Sequence, residues 1–563
     1  MRGDLEWGTI PNLARSAAER FGDDEALVDG DARLTFAELW TEAVHAARAY
    51  IAAGIEPGDR VALWAPNIWE WPVAMLGAHV AGAAVVPLNT RFKGAEAAYV
   101  LNRSRARVLV TVDGFLGNDY VSMLAGPGID LPHLERIVVL RPTADGVTET
   151  PRGQPWPGGR GPSGPLLGSE SGRHVLPAIV PWIDFLLDGA KVAGATVDER
   201  LAGVGPDDVS DIMFTSGTTG APKGVMASHG PTVRAYTDWA DLVGLQRGDR
   251  YLVVNPFFHS FGYRAGIVAS LVAGATMVPQ AVFDVPEAMR NVARHRITML
   301  PGAPAIYQTI LNHPELASFD LSSLRLAVTG AAPVPVSLVE QMWSELGFET
   351  VLTAYGLTES TGFATSCRAG DDALTISETS GRAIPGVEVR IVDEAGAPQP
   401  AGESGEIVVR GYNVMLGYFE EPEQTAETVD AEGWLHTGDV GWMDERGYVR
   451  ITDRMKDMYI VGGFNAYPAE IENLLTRHED IGQVAVIGVP DERLGEVGLA
   501  FVVPAGGRTP DPDEIVAWAR EHMANYKAPR SVRIVEALPL NPSGKVLKYQ
   551  LREQALTGGV EST

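Results

Sequence analysis

Phe214-Thr215-Ser216-Gly217-Thr218-Thr219-Gly220-Ala221-Pro222-Lys223-Gly224 sets four hydroxyl side chains, three glycines and one lysine within eleven residues. The stretch before it, Val-Ser-Asp-Ile-Met-Phe at 209–214, reads as a short strand, although Ser210 and Asp211 interrupt the apolar run. Such a loop suits a polyphosphate. Glycines let the backbone approach closely and aim N–H groups at anionic oxygens, hydroxyls add donors, and the lysine adds a mobile positive charge. Runs of Ser, Thr and Gly are more often plain surface turns. Nor is this a Walker A loop, which, counted from Gly217, requires glycine at Pro222 and Ser or Thr at Gly224. The stretch is either a surface turn or a phosphate site of another kind, and the remaining chain has to decide.

A chain of 563 residues exceeds one ordinary core, so two or more domains are expected. The formal net charge of −27 argues against a nucleic-acid surface or an anionic membrane patch. Any polyanionic ligand must therefore be drawn in by local cations and backbone dipoles. Cys367 is the only cysteine, which excludes an internal disulfide and a thiolate metal cluster and fits a reducing cytoplasm. No basic segment followed by an apolar run opens the chain, so no signal peptide is expected. Residues 71–88 are apolar for long enough to raise the question of a membrane span. Pro72, His79 and Pro87 and the strand-like ending favour a buried helix leading into a buried strand.

In chain order, 36–52 has helical spacing, 59–64 is a strand after a Pro-Gly turn, 71–81 is helical, and 84–88 and 107–111 are strands. Short strands separated by helices imply parallel sheets with helices packed outside. From 141 to 173 the texture turns to Pro, Gly, Ser and Arg, as in a flexible surface insertion. Within it Gly159-Arg160-Gly161-Pro162-Ser163-Gly164 matches the dinucleotide pattern, but its Pro-rich flanks lack the required strand and helix. A strand over 251–256 delivers Phe257-Phe258-His259-Ser260-Phe261-Gly262-Tyr263, a histidine among aromatics better suited to lining an apolar pocket than to a hydrolase triad, for which no nucleophile elbow exists. Helix 285–294, strand 297–300, helix 304–312 and strand 325–329 follow, the last running into Gly330-Ala331-Ala332-Pro333. Another strand delivers Tyr355-Gly356-Leu357-Thr358-Glu359. From Glu388 alternating short strands suggest a small β module, and after Arg454-Met455-Lys456 a fresh pattern begins with helices 468–477 and 512–523 around strand 483–489.

The order 214–224, 330–333, 355–359, Thr437-Gly438-Asp439, Asp453-Arg454 with Gly462-Gly463, and Pro539-Leu540-Asn541-Pro542-Ser543-Gly544-Lys545 resembles the adenylate-forming superfamily. That group includes acyl-CoA synthetases, firefly-type luciferases and the adenylation domains of peptide synthetases. The match covers nearly the whole chain except the Pro/Gly-rich insertion. It implies an α/β architecture: a large N-terminal adenylation domain of α/β subdomains plus a small β module over 1–453, a hinge at 454–456, and a small mobile α+β domain over 457–563.

The resemblance also implies roles. Thr215, Ser216, Gly217, Thr218, Thr219, Gly220 and Lys223 would hold the β- and γ-phosphates of ATP. Tyr355 would stack on adenine beside the turn of Gly330, Ala331 and Ala332. Thr358 would meet the α-phosphate, and Glu359 would hold Mg²⁺, a hard cation suited to carboxylate and phosphate oxygens. Asp439 would accept from the ribose hydroxyls with Arg454 nearby, although an aspartate in a Thr-Gly-Asp sequence is also an ordinary turn former. Lys545, otherwise a solvated charge in a polar turn, would bridge the acid carboxylate and the α-phosphate, offsetting the repulsion between two anions during in-line attack. Rotation about Lys456 would then withdraw Lys545 and bring Gly462 and Gly463 to the site, where glycines let pantetheine pass the backbone, though the same pair also suits a simple hairpin.

Free CoA is the expected thiol acceptor, because no carrier domain follows. Luciferase-type oxidation is far rarer on this scaffold, and a non-catalytic ATP-binding protein is disfavoured by the presence of both Glu359 and Lys545. Phe258, His259 and Tyr307 are expected to line the acyl pocket, with the 302–304 turn, for an apolar acid. Residues 255–266 and 453–470 are similar to actinobacterial acyl-CoA ligases that activate the propanoate side chain of a partly degraded steroid. A medium- or long-chain fatty acid is the alternative. The partners implied are a small carboxylic acid, ATP and CoA, with no nucleic acid and no integral membrane association; a homo-oligomer is left open.

Overall fold

The computed structural model describes residues 7–142, 177–215, 222–330, 334–454, 457–461, 464–466, 468–491, 494–523, 525–540 and 546–557. The dinucleotide-like stretch 159–164 and nearly all of the expected insertion lie outside them. Arg141, its first residue, is fixed by ion pairs to Glu70 at 2.7 Å and Asp29 at 2.8 Å.

An eight-stranded sheet carries the first half of the chain. Its strands run Gly417–Tyr418, Lys223–Ser228, Val209–Thr215, Ala84–Pro87, Arg60–Trp64, Val108–Val112, Arg136–Leu140, Ala178–Pro181. From Val209–Thr215 onward every pairing is parallel, and the two strands beyond it pair antiparallel. The parallel strands are nearly continuous apolar runs because helices bury both faces. One such helix, Phe36–Ala52, opens with Thr35 and Glu38 capping each other's backbone N–H groups. The helix Glu70–Val80 is buried along its whole length and is followed by the buried strand Ala84–Pro87, as the sequence predicts. It crosses Phe36–Ala52 at Gly77, where an added Cβ would lie 2.4 Å from Ala46 Cβ. Among the described residues no helix is long and apolar enough to cross a membrane.

A second layer joins two four-stranded runs. Arg250–Val253, Thr276–Pro279, Glu25–Asp29 and Ala32–Thr35 form one; Leu326–Thr329, Thr350–Tyr355, Thr365–Ser366 and Arg382–Ala383 form the other. The strand expected over 297–300 is reduced to Met299, which bridges Tyr251 and Leu326. Arg296 takes a left-handed conformation (φ 53°) to close the preceding helix and Pro301 follows, leaving too few residues for a ladder. The small β module is the antiparallel sheet Val387–Val392, Gly405–Gly411, Leu435–Met443, Val449–Arg454. One large apolar core underlies most of these elements, with a separate small cluster of Val225, Met415 and Tyr418 at the edge of the eight-stranded sheet.

A smaller C-terminal domain follows, built on Phe464–Ala466, Tyr459–Val461, Gly495–Pro504, Ile481–Asp491 and Ser531–Ile534. Alternation along Ile481–Asp491 sends Val484 and Val486 to one apolar cluster and Ala485 and Ile487 to another, so the sheet is packed on both faces. Each of the two parts thus has its own core.

Candidate active site

The opening stretch is a hairpin. Val209–Thr215 pairs antiparallel with Lys223–Ser228, ending with Thr215 opposite Lys223. Ser216, Gly217, Thr218, Thr219 and Gly220 lie outside the described residues, but the hairpin neck fixes where their loop begins and ends. A strand rather than a helix follows the loop, which explains the failed Walker comparison. Tyr99 Oη donates to the Pro222 carbonyl at 3.1 Å, and its ring meets Phe214 edge-on. Gly224 serves packing: an added Cβ would fall 2.8 Å from Ile212 Cγ2 and 3.1 Å from the Phe214 ring.

Two distant motifs meet at Tyr355 and Asp439. The strand Thr350–Tyr355 ends on Tyr355, whose hydroxyl donates to Asp439 Oδ2 at 2.5 Å. Asp439 is buried within the strand Leu435–Met443, opposite Arg454, so it is not a simple turn former. Thr437 supports it, its hydroxyl donating to the Ile407 carbonyl and accepting from the Asp439 N–H. Gly330 ends Leu326–Thr329 with φ +156°; Ala331 and Ala332 are outside the described residues.

Thr358 and Glu359 sit in a single 3₁₀ turn, Thr358–Ser360. Ser360 Oγ accepts from the Leu357 N–H at 2.9 Å, and Thr361 leaves the turn in a left-handed conformation, its Oγ1 donating to the Asn413 carbonyl. The Met415 N–H donates to the Glu359 carbonyl at 2.8 Å. Tyr418 Oη donates to Glu359 Oε1 at 3.0 Å, and Lys223 Nζ lies 4.9 Å from the Tyr418 ring centroid. Lys223 and Glu359 are thereby brought to one place by a residue that nothing in the sequence marks, since its partners are 59 and 195 positions away.

On the acyl side, Asn67 holds the 253–257 segment, donating to the Val253 and Asn255 carbonyls and accepting the Phe257 N–H. Residues Phe261–Val268 then form a π-helix pressed against that segment. A Cβ on Gly262 would lie 2.1 Å from the Pro256 carbonyl oxygen. His259 is exposed by surface area, although the surrounding chain desolvates its ring. Burial, and then the charge of Arg264, lower its pKa to about 4. Its Nδ1 accepts the Phe261 N–H at 3.2 Å, so the neutral ring carries its proton on Nε2, a donor. Phe258 is half-buried beside it. Tyr307 has no exposed surface; its hydroxyl donates to the Leu300 carbonyl and its ring packs on Phe348, which places it in the core rather than on a pocket wall. Arg264 is also fully buried, paired with Asp211 at 2.6 Å. The pair ties the π-helix to the hairpin of Val209–Thr215 and Lys223–Ser228.

Lys545, Lys456, Gly462 and Gly463 lie outside the described residues, and of Arg454 only the backbone pairing is described.

The AMP-binding enzyme family matches residues 14–419, and the AMP-binding enzyme C-terminal domain matches residues 470–545. The chain belongs to this family of adenylate-forming enzymes. It is 50% identical over 97% of its length, and 98% of the relative's, to the 3-[(3aS,4S,7aS)-7a-methyl-1,5-dioxo-octahydro-1H-inden-4-yl]propanoyl:CoA ligase of Rhodococcus jostii. The ligase of the same name from Mycobacterium tuberculosis is 48% identical, with 97% and 98% covered. Among solved structures, the anthranilate CoA ligase AuaEII in complex with anthranoyl-AMP superposes with a TM-score of 0.79 at 25% identity, covering 97% of each chain.

Proposed function

We propose that the protein is an AMP-forming acyl-CoA synthetase that activates a steroid-derived bicyclic propanoate as its acyl-adenylate, releases pyrophosphate, and passes the acyl group to CoA in the cytoplasm. The observation that carries the reaction class is that three separate motifs meet in space: Tyr418 joins Lys223 to Glu359, and Tyr355, four residues before Glu359, bonds Asp439. The acid is carried by the two relatives named as ligases of a dioxo-hydrindane propanoate. The neutral, Nε2-protonated His259 fits an acid whose body is apolar but bears carbonyl acceptors.

In the first half-reaction the acid carboxylate attacks the α-phosphorus. Thr215, Lys223 and the loop between them hold the leaving pyrophosphate, Tyr355 the adenine and Asp439 the ribose. Thr358 meets the α-phosphate, and Lys545 offsets the repulsion between the reacting anions. Glu359 suits Mg²⁺: Tyr418 occupies one carboxylate oxygen and leaves the other for a hard cation. Among the described residues no cluster of three His, Cys, Asp or Glu could hold a metal, so the ion would bind together with the nucleotide. When bound it supplies neutralisation of phosphate charge. In the second half-reaction the domain after 454–456 turns about Lys456, and the CoA thiol attacks the acyl carbonyl beside Gly462 and Gly463, expelling AMP.

The test is AMP release from ATP and CoA across a panel of acids. The bicyclic propanoate should be used with the highest kcat/KM. A higher value with palmitate or octanoate would replace the steroid reading with the fatty-acid one, and AMP release with none of them would remove both.

A further inference from the structure

Lys223 and Glu359 have opposite charges and opposite tasks, one toward phosphate oxygens and one toward a cation. An ammonium and a carboxylate sharing a cleft attract, and a direct pair would quench both before a nucleotide arrived. No ion pair joins Lys223 to Glu359 among the described residues; Tyr418 stands between them. Its hydroxyl is given to Glu359 Oε1 at 3.0 Å, and its ring faces Lys223 Nζ at 4.9 Å. A cation over an aromatic face is held without losing its charge, and a carboxylate accepting one hydrogen bond keeps its second oxygen.

The tyrosine is itself fixed. Its strand pairs with the strand of Lys223, with Val225 opposite Tyr418. Its backbone N–H donates to Thr425 Oγ1 at 2.9 Å, and the next residue, Phe419, donates to the Gly224 carbonyl at 2.7 Å. The side chain is 8% exposed, packed with Val225, Met415 and Val429.

We propose that Tyr418 is a positioning residue of the Mg²⁺-nucleotide site, a spacer that keeps Lys223 and Glu359 apart and aims each at its own part of the polyphosphate. The inference rests on the roles proposed above for those two residues. Tyr418→Phe keeps the ring on Lys223 and frees the carboxylate. Tyr418→Leu removes both contacts and lets the two charges pair.

The experiment is calorimetric ATP binding to the full-length protein, with and without Mg²⁺ and with no acid present, for the wild type, Tyr418→Phe, Tyr418→Leu and Glu359→Gln. In Tyr418→Phe the gain in affinity that Mg²⁺ brings should fall on the order of 10- to 100-fold, the effect of one lost hydrogen bond to a charged group, with metal-free affinity within about twofold. Tyr418→Leu should weaken metal-free binding as well. An unchanged Mg²⁺ gain in Tyr418→Phe beside a lost one in Glu359→Gln would overturn the spacer and leave the nucleotide site standing. An equal loss with and without metal in Tyr418→Phe would also overturn it. An unchanged gain in Glu359→Gln would instead overturn the metal role of Glu359 itself.

Discussion

The buried pair Asp211–Arg264 shows what a single residue can be required to do at a distance from the chemistry. Asp211 lies four positions before Thr215 on the hairpin, and Arg264 lies five after His259 on the π-helix. Burial pushes the Asp211 carboxyl upward against the pull of Arg264, and Ser210 Oγ donates a further hydrogen bond to it at 2.8 Å. Removing one partner leaves an uncompensated buried charge, whereas removing both does not. Arg264→Met should therefore lower unfolding stability by about 3–5 kcal/mol in urea titration, and Arg264→Met with Asp211→Leu should regain much of it. A double variant no more stable than the single one would show that the pair is not coupled. At this scale the sequence was partly legible. Tyr355, Asp439, Glu359 and Lys223 were marked by their motifs, because a motif is a local string. Arg264 and Tyr418 carry no such mark, since their partners are set by folding. Lys545 is a local string too. Lys545→Ala should slow acyl-adenylate formation on the order of 100- to 1000-fold while thioester formation from supplied adenylate is largely spared. Equal losses in the two half-reactions would remove its assigned role.

Between elements, the junction of helix Glu70–Val80, helix His229–Val243 and strand Val209–Thr215 is sensitive to acid. His79 Nε2 bonds the Ser210 carbonyl at 2.9 Å, and the His79 and His229 rings meet edge-on at 4.9 Å. Burial lowers the His79 pKa to about 4, and burial with its neighbour lowers that of His229 well below the ordinary value. A histidine depressed in the folded state binds fewer protons there than in the unfolded chain, so stability is lost as pH falls from about 6.5 toward 4, by up to about 1.4 kcal/mol per pH unit for each ring. Asp211, whose pKa is raised, acts in the opposite sense, so the wild type must be compared with a variant. His79→Gln retains a donor for Ser210 and should lose less stability over that interval in denaturation at stepped pH; an identical slope would assign the acid sensitivity elsewhere. Elements were read well where one period dominated, as in Phe36–Ala52 and Val285–His295. The π-helix was not, because Phe-Gly-Tyr-Arg-Ala-Gly-Ile-Val has no clean period and its geometry is set by close approach to the 253–256 segment. The hairpin was half read: its first strand was visible, but the strand after Lys223 is recognisable only through its neighbours in the sheet.

For the molecule as a whole, the two-part construction follows from length and from the change of pattern after 454, and each part is built around its own core. The turn proposed between them is not written in local periodicity, because two orientations would share the same elements. Net charge is legible at once, and it has a consequence for kinetics. A formal charge of −27 opposes the approach of ATP and CoA at long range, while in the proposed site Lys223 and the hairpin would attract phosphate only at close quarters. The Debye length shrinks from about 30 Å at 0.01 M salt to about 8 Å at 0.15 M, which screens the distant repulsion more than a partly buried contact. Raising ionic strength over that interval should therefore raise kcat/KM for CoA and lower KM for ATP by about two- to fivefold, the reverse of what a basic nucleotide-binding surface shows. Initial rates in buffers adjusted with potassium chloride, at fixed free Mg²⁺, provide the measurement, and kcat should change little because bound reactants meet the same local groups. A KM that rises with salt would mean that local cations beyond Lys223 dominate the approach, and that net charge does not govern encounter in this enzyme.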